Sequence, residues 1–302
     1  MSASRSADPQ AYGVTPPGYR LPAGLRLGTV RLQVADLARS VDWYRRVLGV
    51  TVLDHHPDRA VLGAQGDPRP LIDLREHPGA HPVPRRGRLG LYHYAILLPD
   101  RASLARFVRH LAELGERAGM SDHLVSEAIY LSDPDGLGIE VYADRPRDAW
   151  RHEEGQLVMA TDPLDVDDLL RSAGSERWSG LPSGTVIGHI HLFVDDLDRA
   201  AAFYHAGLGL DKVVWSYPGA LFLSAGGYHH HLGTNTWAAG APPPGPDDAR
   251  LLEWEILLPT ANDARAALVS LAATGTQIES SNGGGVARDP WGTALRIRSE
   301  SH

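Results

Sequence analysis

Apolar and polar residues alternate over residues 30–36 (VRLQVAD), which is typical of a strand with one buried face. Asp36 can cap a helix that starts directly after it. Helical spacing is then shared by four apolar residues, Leu37, Val41, Tyr44 and Leu48. Gly49 is a common helix terminator. The pattern therefore predicts a strand followed by an amphipathic helix that packs its apolar side against a core.

The same pattern returns 160 residues later, where residues 187–210 (IGHIHLFVDDLDRAAAFYHAGLGL) match residues 27–50 (LGTVRLQVADLARSVDWYRRVLGV). Residues 252–259 match residues 92–99 at the same offset. The turns Asp133-Pro134-Asp135-Gly136 and Asp289-Pro290-Trp291-Gly292 nearly keep it. Three matches at a nearly constant offset indicate that the chain is a duplication.

Each half divides again, because a strand, a helix and further strands restart within it. We therefore predict an α+β fold of four βαβββ modules in two tandem domains. The predicted modules one to four span residues 25–78, 88–145, 185–238 and 249–300. The predicted domains are a polar N-terminal tail (1–24), an N-terminal domain (25–145), a linker (146–184) and a C-terminal domain (185–302).

Composition narrows the class of protein. The chain has 302 residues, of which 43% are hydrophobic and 22% charged, as in globular proteins. Its formal net charge of -8 argues against nucleic acid or an anionic membrane as a partner. No apolar run is long enough to span a membrane, and the N-terminus lacks the apolar core of a signal peptide. We expect a cytoplasmic protein.

Cysteine is absent, so a transition-metal site would have to use histidine and carboxylate side chains. The first and last strands of each module offer two equivalent positions for such ligands. In modules one to four these positions hold Thr29 and Asp73, His93 and Glu140, His189 and the run 229–231, and Glu253 and Arg296. Only modules two and three carry metal-competent residues at both positions. The sequence therefore predicts one metal site, made by modules two and three together.

The modules, together with the segments 189–204 (HIHLFVDDLDRAAAFY) and 133–142 (DPDGLGIEVY), resemble the vicinal oxygen chelate superfamily. This superfamily includes glyoxalase I, bleomycin-resistance proteins and type I extradiol dioxygenases such as catechol 2,3-dioxygenase. The resemblance covers nearly the whole chain outside the first 25 residues and the linker. In the dioxygenases the module with a single metal histidine comes first, but here it comes second. The site would therefore join the two halves, within one chain or between two chains.

The dioxygenase resemblance implies that His93, Glu140 and His189 hold Fe(II). This facial triad leaves open positions for a small aromatic diol and dioxygen. Tyr130, ten residues before Glu140, and His123 correspond to residues that hydrogen-bond the substrate oxygens. The resemblance thus implies ring cleavage beside the diol.

The run 229–231 supplies a further histidine, but alternation alone does not decide which one. It puts His229 and His231 on one strand face and His230 on the other. The segment from His231 resembles the superfamily position that is a catalytic histidine in dioxygenases and a ligand glutamate in glyoxalase I. We expect His231 to point inward, as an acid/base or as a fourth ligand.

Two other functions remain open on the sequence. A glyoxalase-like isomerase or lyase would use His231 as a fourth ligand and bind Mn, Ni, Zn or Co. A bleomycin-resistance-type binding protein would need no metal. The diol and the formation of a homodimer also remain open.

Overall fold

The computed structural model describes residues 12–281 and 283–300. The predicted α+β fold of four βαβββ modules is confirmed, since each module contains one helical segment and four strands. Residues 1–11 of the predicted polar tail lie outside the described residues. Residues 12–24 run against module three, where Val14 bridges to Lys212 and Leu21 is buried.

The four modules have closely similar element orders. Module one contains β1 (Arg26–Val34), α1 (Leu37–Trp43), β2 (Thr51–His56), β3 (Arg59–Gly63) and β4 (Pro70–Glu76). Module two contains β5 (Gly90–Leu97), α2 (Arg101–Leu114), β6 (Gly119–Asp122), β7 (Ser126–Ser132) and β8 (Gly138–Asp144). The segment between the halves contains β9 (His152–Glu153), β10 (Gln156–Leu157) and α3 (Val166–Arg171). Module three contains β11 (Val186–Phe193), α4 (Leu197–Ala200), β12 (Asp211–Val214), β13 (Ala220–Ser224) and β14 (Leu232–Asn235). Module four contains β15 (Arg250–Leu258), α5 (Ala261–Ala273), β16 (Ile278–Ser281), β17 (Gly284–Arg288) and β18 (Ala294–Ser299).

The helix starts follow the capping residues of the sequence. Asp36 accepts a hydrogen bond from the backbone N–H of Arg39, which satisfies one free donor of the first helical turn. The helix continues past α1 as a π-helical turn, Tyr44–Leu48, and ends at Gly49 with φ 70°. A Cβ at Gly49 would meet Gly180 at 2.4 Å, so both backbone conformation and space require glycine there. None of the described helices is both long and apolar enough to cross a membrane.

The strands form two eight-stranded sheets, and each sheet combines one module from each half. The first sheet has the order β16-β17-β18-β15-β1-β4-β3-β2 and joins modules four and one. The second has the order β12-β13-β14-β11-β5-β8-β7-β6 and joins modules three and two. At each centre two first strands pair antiparallel, β1 with β15 and β11 with β5. Modules two and three therefore share a sheet, which sets up the site.

The turns at residues 133–136 and 289–292 accept hydrogen bonds from buried tyrosines of the helical segments in modules one and three. The Tyr44 hydroxyl donates to Oδ2 of Asp133 at 3.1 Å, and the Tyr204 hydroxyl donates to Oδ2 of Asp289 at 2.8 Å. Oδ1 of Asp133 accepts the backbone N–H groups of Asp135 and Leu137, both at 2.9 Å. These bonds tie module one to module two and module three to module four.

We expect Asp133→Asn to make the protein less sensitive to rising pH. Burial, assisted by nearby Asp135, raises the pKa of Asp133 from 3.8 to about 7. Because the folded pKa lies above the unfolded one, the contribution of this group is complete below pH 3.8 and is lost as pH rises through about 7. The variant should therefore gain a few kcal/mol over the wild type between pH 5 and pH 8.

Thermal melts of both proteins at the two pH values measure this gain. Asp100→Asn, at the exposed cap of α2, is the control, since asparagine caps a helix equally well. A difference between Asp133→Asn and the wild type that is the same at both pH values would contradict the prediction.

Candidate metal centre

Three side chains meet on one face of the second sheet. Ala95 of β5 lies opposite His189 of β11 and opposite Glu140 of β8. Because residues two apart on a strand share a face, His93 projects to the same side. The ligand atoms of His93, Glu140 and His189 lie within 4.8 Å of one another, and all three residues are buried. The structure thus brings the predicted ligands together within one chain, between modules two and three.

Several polar atoms of this cluster lack a hydrogen-bond partner. Nε2 of His189 lies 3.1 Å from Oε2 of Glu140, and Nε2 of His93 lies 3.0 Å from the same oxygen. In the described part of the chain, Nε2 of His93 is not oriented for a hydrogen bond and Oε1 of Glu140 has no partner. Buried polar atoms are rarely left unpaired. The three residues therefore fit a divalent cation, which would bind these lone pairs.

The protonation states also suit a metal. Burial lowers the pKa of His93 and of His189, although Glu140 opposes the shift. Burial alone would raise the pKa of Glu140, but His189 and His93 hold it well below its usual range. Two neutral imidazoles beside an ionised carboxylate are the ligand forms that bind a cation without first losing protons.

His123 and Tyr130 form a hydrogen-bonded pair beside the cluster. Nδ1 of His123 lies 2.6 Å from the carbonyl of Ala160, so this nitrogen carries the proton. Nε2 of His123 lies 2.5 Å from the Tyr130 hydroxyl and accepts a hydrogen bond from it. Burial, followed by the charge of Glu140, raises the pKa of Tyr130 well above its usual value, so the phenol stays protonated. Both residues line the same cavity as the cluster, and their roles stay predictions.

The histidine run is placed differently from the prediction, since His230 and not His231 faces the cluster. The ring of His230 lies 4.0 Å from that of His189 and lines the cavity. Nδ1 of His231 instead accepts the backbone N–H of Ala225 at 3.2 Å, and its ring lines a separate cavity. The inward orientation predicted for His231 is therefore wrong. Strand alternation fails here because β14 begins only at Leu232, so the run lies in a bend.

A cavity of about 310 Å³ opens beside the cluster. Its walls include five aromatic side chains, Tyr92, Tyr130, Tyr217, Phe222 and Trp237, and no Lys or Arg among the described residues lines it. One wall comes from linker residues 159–161, where Oγ1 of Thr161 lies 2.8 Å from the Tyr217 hydroxyl. No pattern in the sequence indicates this linker contact, because its composition is that of an ordinary turn-rich connection.

The family assignment rests on most of the chain. A model of the Glyoxalase/Bleomycin resistance protein/Dioxygenase superfamily matches residues 26–141 and 186–297. The chain belongs to this superfamily. The two matched segments cover both halves and include all three predicted ligands, which is consistent with the duplication seen in the sequence.

Individual superfamily members resemble the chain to different degrees. A protein named catechol-2,3-dioxygenase from Bacillus subtilis (strain 168) is 46% identical over 268 residues, which are 87% of this chain and 93% of the relative. A solved structure of a Bacillus subtilis protein provisionally assigned as a dioxygenase has a TM-score of 0.62 at 16% identity. The match covers 94% of this chain and 87% of that protein. Glyoxalase I from Zea mays has a TM-score of 0.54 at 17% identity, and the match covers 91% of this chain and 92% of that protein. These two structures share the fold.

The matching face of the first sheet carries ion pairs instead of metal ligands. Arg31 donates to Asp73 and to Glu253, both at 2.9 Å. Arg296, at the position equivalent to Glu140, donates to both carboxylate oxygens of Glu253 at 2.8 and 2.9 Å. Guanidinium groups have no lone pair to offer a metal. Among the described residues, the candidate metal centre of this superfamily member lies in the second sheet.

Proposed function

We propose that the protein is an Fe(II)-dependent extradiol dioxygenase that cleaves the ring of a catechol-type substrate. The observation that carries this proposal is the arrangement of groups along the second sheet. The ligand strands β11, β5 and β8 lie between β14, which His230 precedes, and β7, which carries Tyr130. Tyr130 and His230 therefore flank the metal ligands. The relative named catechol-2,3-dioxygenase supports the same reaction.

The ligand set favours iron. Two histidines and one carboxylate form the facial triad typical of non-heme Fe(II) oxygenases. When bound there, Fe(II) would lower the pKa of the diol hydroxyls and supply positions for both the diol and dioxygen. The aromatic walls of the cavity exclude water from that space and provide flat surfaces for a ring.

Other residues that line the cavity can exchange protons with the substrate and orient it through hydrogen bonds. Tyr130 is protonated, and its hydroxyl can turn from His123 to donate to a substrate oxygen. His123 is fixed by the Ala160 carbonyl, so its Nε2 remains an acceptor. Burial lowers the pKa of His230 well below its usual value, so this ring is neutral and has a lone pair that can accept a hydrogen bond from a substrate hydroxyl. The acid/base role proposed for His231 thus passes to His230.

The two alternatives receive less support. A glyoxalase-like reaction would require a fourth protein ligand, but among the described residues the cluster holds three ligand side chains and His231 faces another cavity. A metal-free binding protein would have to bury the ionised Glu140 with an unpaired oxygen, which costs free energy and serves no binding purpose.

Ring cleavage can be tested directly. We expect the anaerobically Fe(II)-loaded protein to turn catechol yellow on admission of air, with one dioxygen consumed per diol. Because no Lys or Arg in the described part of the chain lines the cavity, 3-methylcatechol should be cleaved with a higher kcat/KM than 3,4-dihydroxybenzoate. The zinc-loaded protein is the control. Tight iron binding without cleavage of any diol would reject the proposal.

A further inference from the structure

A chain of hydrogen bonds runs from His230 towards the protein surface. Nδ1 of His230 lies 2.7 Å from Nδ1 of His229. Nε2 of His229 lies 2.9 Å from Oδ1 of Asp144. The side chain of His229 is fully buried, whereas that of Asp144 is 27% exposed. These three residues thus connect the cavity to solvent.

The partners decide where each proton sits. The carboxylate of Asp144 only accepts, so Nε2 of His229 carries a proton. When neither ring carries a charge, the remaining lone pair of His229 is on Nδ1. His230 must donate through its own Nδ1, which leaves a bare Nε2. Within the described residues, Nε2 of His230 has no hydrogen-bond partner, and its ring lines the cavity.

The surroundings hold His229 in this orientation. Tyr228 packs its ring 4.1 Å from the His229 ring, and Trp150 meets the same ring edge-on at 5.5 Å. The hydroxyl of Tyr228 also donates to Oδ1 of Asp144 at 3.2 Å, which fixes the carboxylate. His229 therefore has little freedom to turn away from either neighbour.

We propose that Asp144 and His229 are positioning residues that fix the tautomer of His230 and give its proton a path to solvent. They hold His230 with a bare Nε2 towards the cavity. Neither residue touches the substrate space. The catalytic consequence rests on the proposed ring cleavage, whereas the tautomer is a property of the folded chain alone.

Each transfer along the path balances. Nε2 of His230 takes the proton of a substrate hydroxyl, and its Nδ1 passes a proton to Nδ1 of His229. Nε2 of His229 then gives its proton to Asp144, which releases it to water. Both rings end neutral, with their protons on the opposite nitrogens, and they return to the starting tautomers when a proton moves back along the path.

Nitrogen-15 NMR of the metal-free, full-length chain tests the tautomer without any activity. With labelled histidine, we expect Nδ1 of His230 to be protonated and Nε2 to show the shift of an unprotonated ring nitrogen. The signals are assigned from their loss in His230→Gln. A proton on Nε2 of His230 in the wild type would overturn the proposal. This measurement keeps the wild-type Asp144, so it does not depend on whether an Asp144 variant folds.

Kinetics of the iron-loaded protein test the consequence. Asp144→Asn can offer an amide N–H to His229 and so reverse the direction of the hydrogen bonds between His229 and His230. We therefore expect kcat to fall by about 10²-fold with KM and iron content unchanged. Asp144→Glu should restore part of kcat. Asp248→Asn removes a carboxylate that pairs with Arg88 and lies apart from the cavity, so it is the matched control and should retain kcat.

The outcomes separate this proposal from ring cleavage itself. A folded, iron-loaded Asp144→Asn with the wild-type kcat would overturn it, as would an equal loss of kcat in Asp248→Asn. If the wild type cleaves no diol, the proposed function fails, and the NMR result still decides the tautomer.

Discussion

Glu140→Gln should lose iron and, with it, all measurable ring cleavage. Glu140 is the single carboxylate of the cluster, and the Nε2 atoms of His93 and His189 lie 3.0 and 3.1 Å from its Oε2. A neutral amide offers a weaker donor atom and no charge to balance Fe(II). Since changing residues that merely support a ligand costs 10–100-fold in affinity, losing a direct ligand should cost more than about 100-fold. Iron content after gel filtration and dioxygen uptake with catechol measure the two effects.

The first sheet offers a matched control for this variant. Arg296 occupies the position equivalent to Glu140, but it pairs with Glu253 and lies outside the proposed site. Arg296→Gln should therefore keep iron and turnover. It should also lower the melting temperature, because Glu253 loses a two-nitrogen partner and is mostly buried. Stoichiometric iron in Glu140→Gln would show that the cluster is not the metal site.

His230→Gln should lower kcat by about 10²- to 10⁴-fold while the protein keeps its iron. The ring lines the cavity beside His189 but is not one of the three clustered ligands. Its removal takes away the proposed proton acceptor and leaves the metal-binding residues intact. kcat at saturating diol, together with iron content, separates this effect from a loss of metal.

His231→Gln is the comparison that decides between neighbouring histidines. His231 accepts from the Ala225 backbone and faces a cavity other than the one beside His189. Turnover in this variant should therefore remain close to that of the wild type. If His231→Gln loses as much kcat as His230→Gln, the assignment of the acid/base to His230 is wrong.

The second sheet explains why the departure from the usual order of modules does not prevent a site. His93 lies in the first half of the chain and His189 in the second, but their strands β5 and β11 are neighbours. Because these two strands are hydrogen-bonded to each other, the two histidines lie close together although they belong to different halves of the chain. The other sheet repeats this pairing with β1 and β15, where ion pairs replace the ligands.

The sequence by itself determined the modules and singled out the three candidate ligands that the structure brings together. The internal match at a nearly constant offset located all four βαβββ units, and the equivalent positions on their first and last strands singled out His93, Glu140 and His189. These features depend on local periodicity, which a chain carries in its residue order. Capping by Asp36 and helix termination at Gly49 are also local, and both were predicted from residue type.

Only the tertiary structure decided which histidine of the run faces the cavity and what lies behind it. The bend before Leu232 breaks the alternation, so the period of two could not be extended to His230. The contact of Ala160 with His123 and that of Asp144 with His229 join residues far apart in the chain. Such contacts depend on the path of the linker and the packing of neighbouring strands, and neither leaves a periodic mark in the sequence.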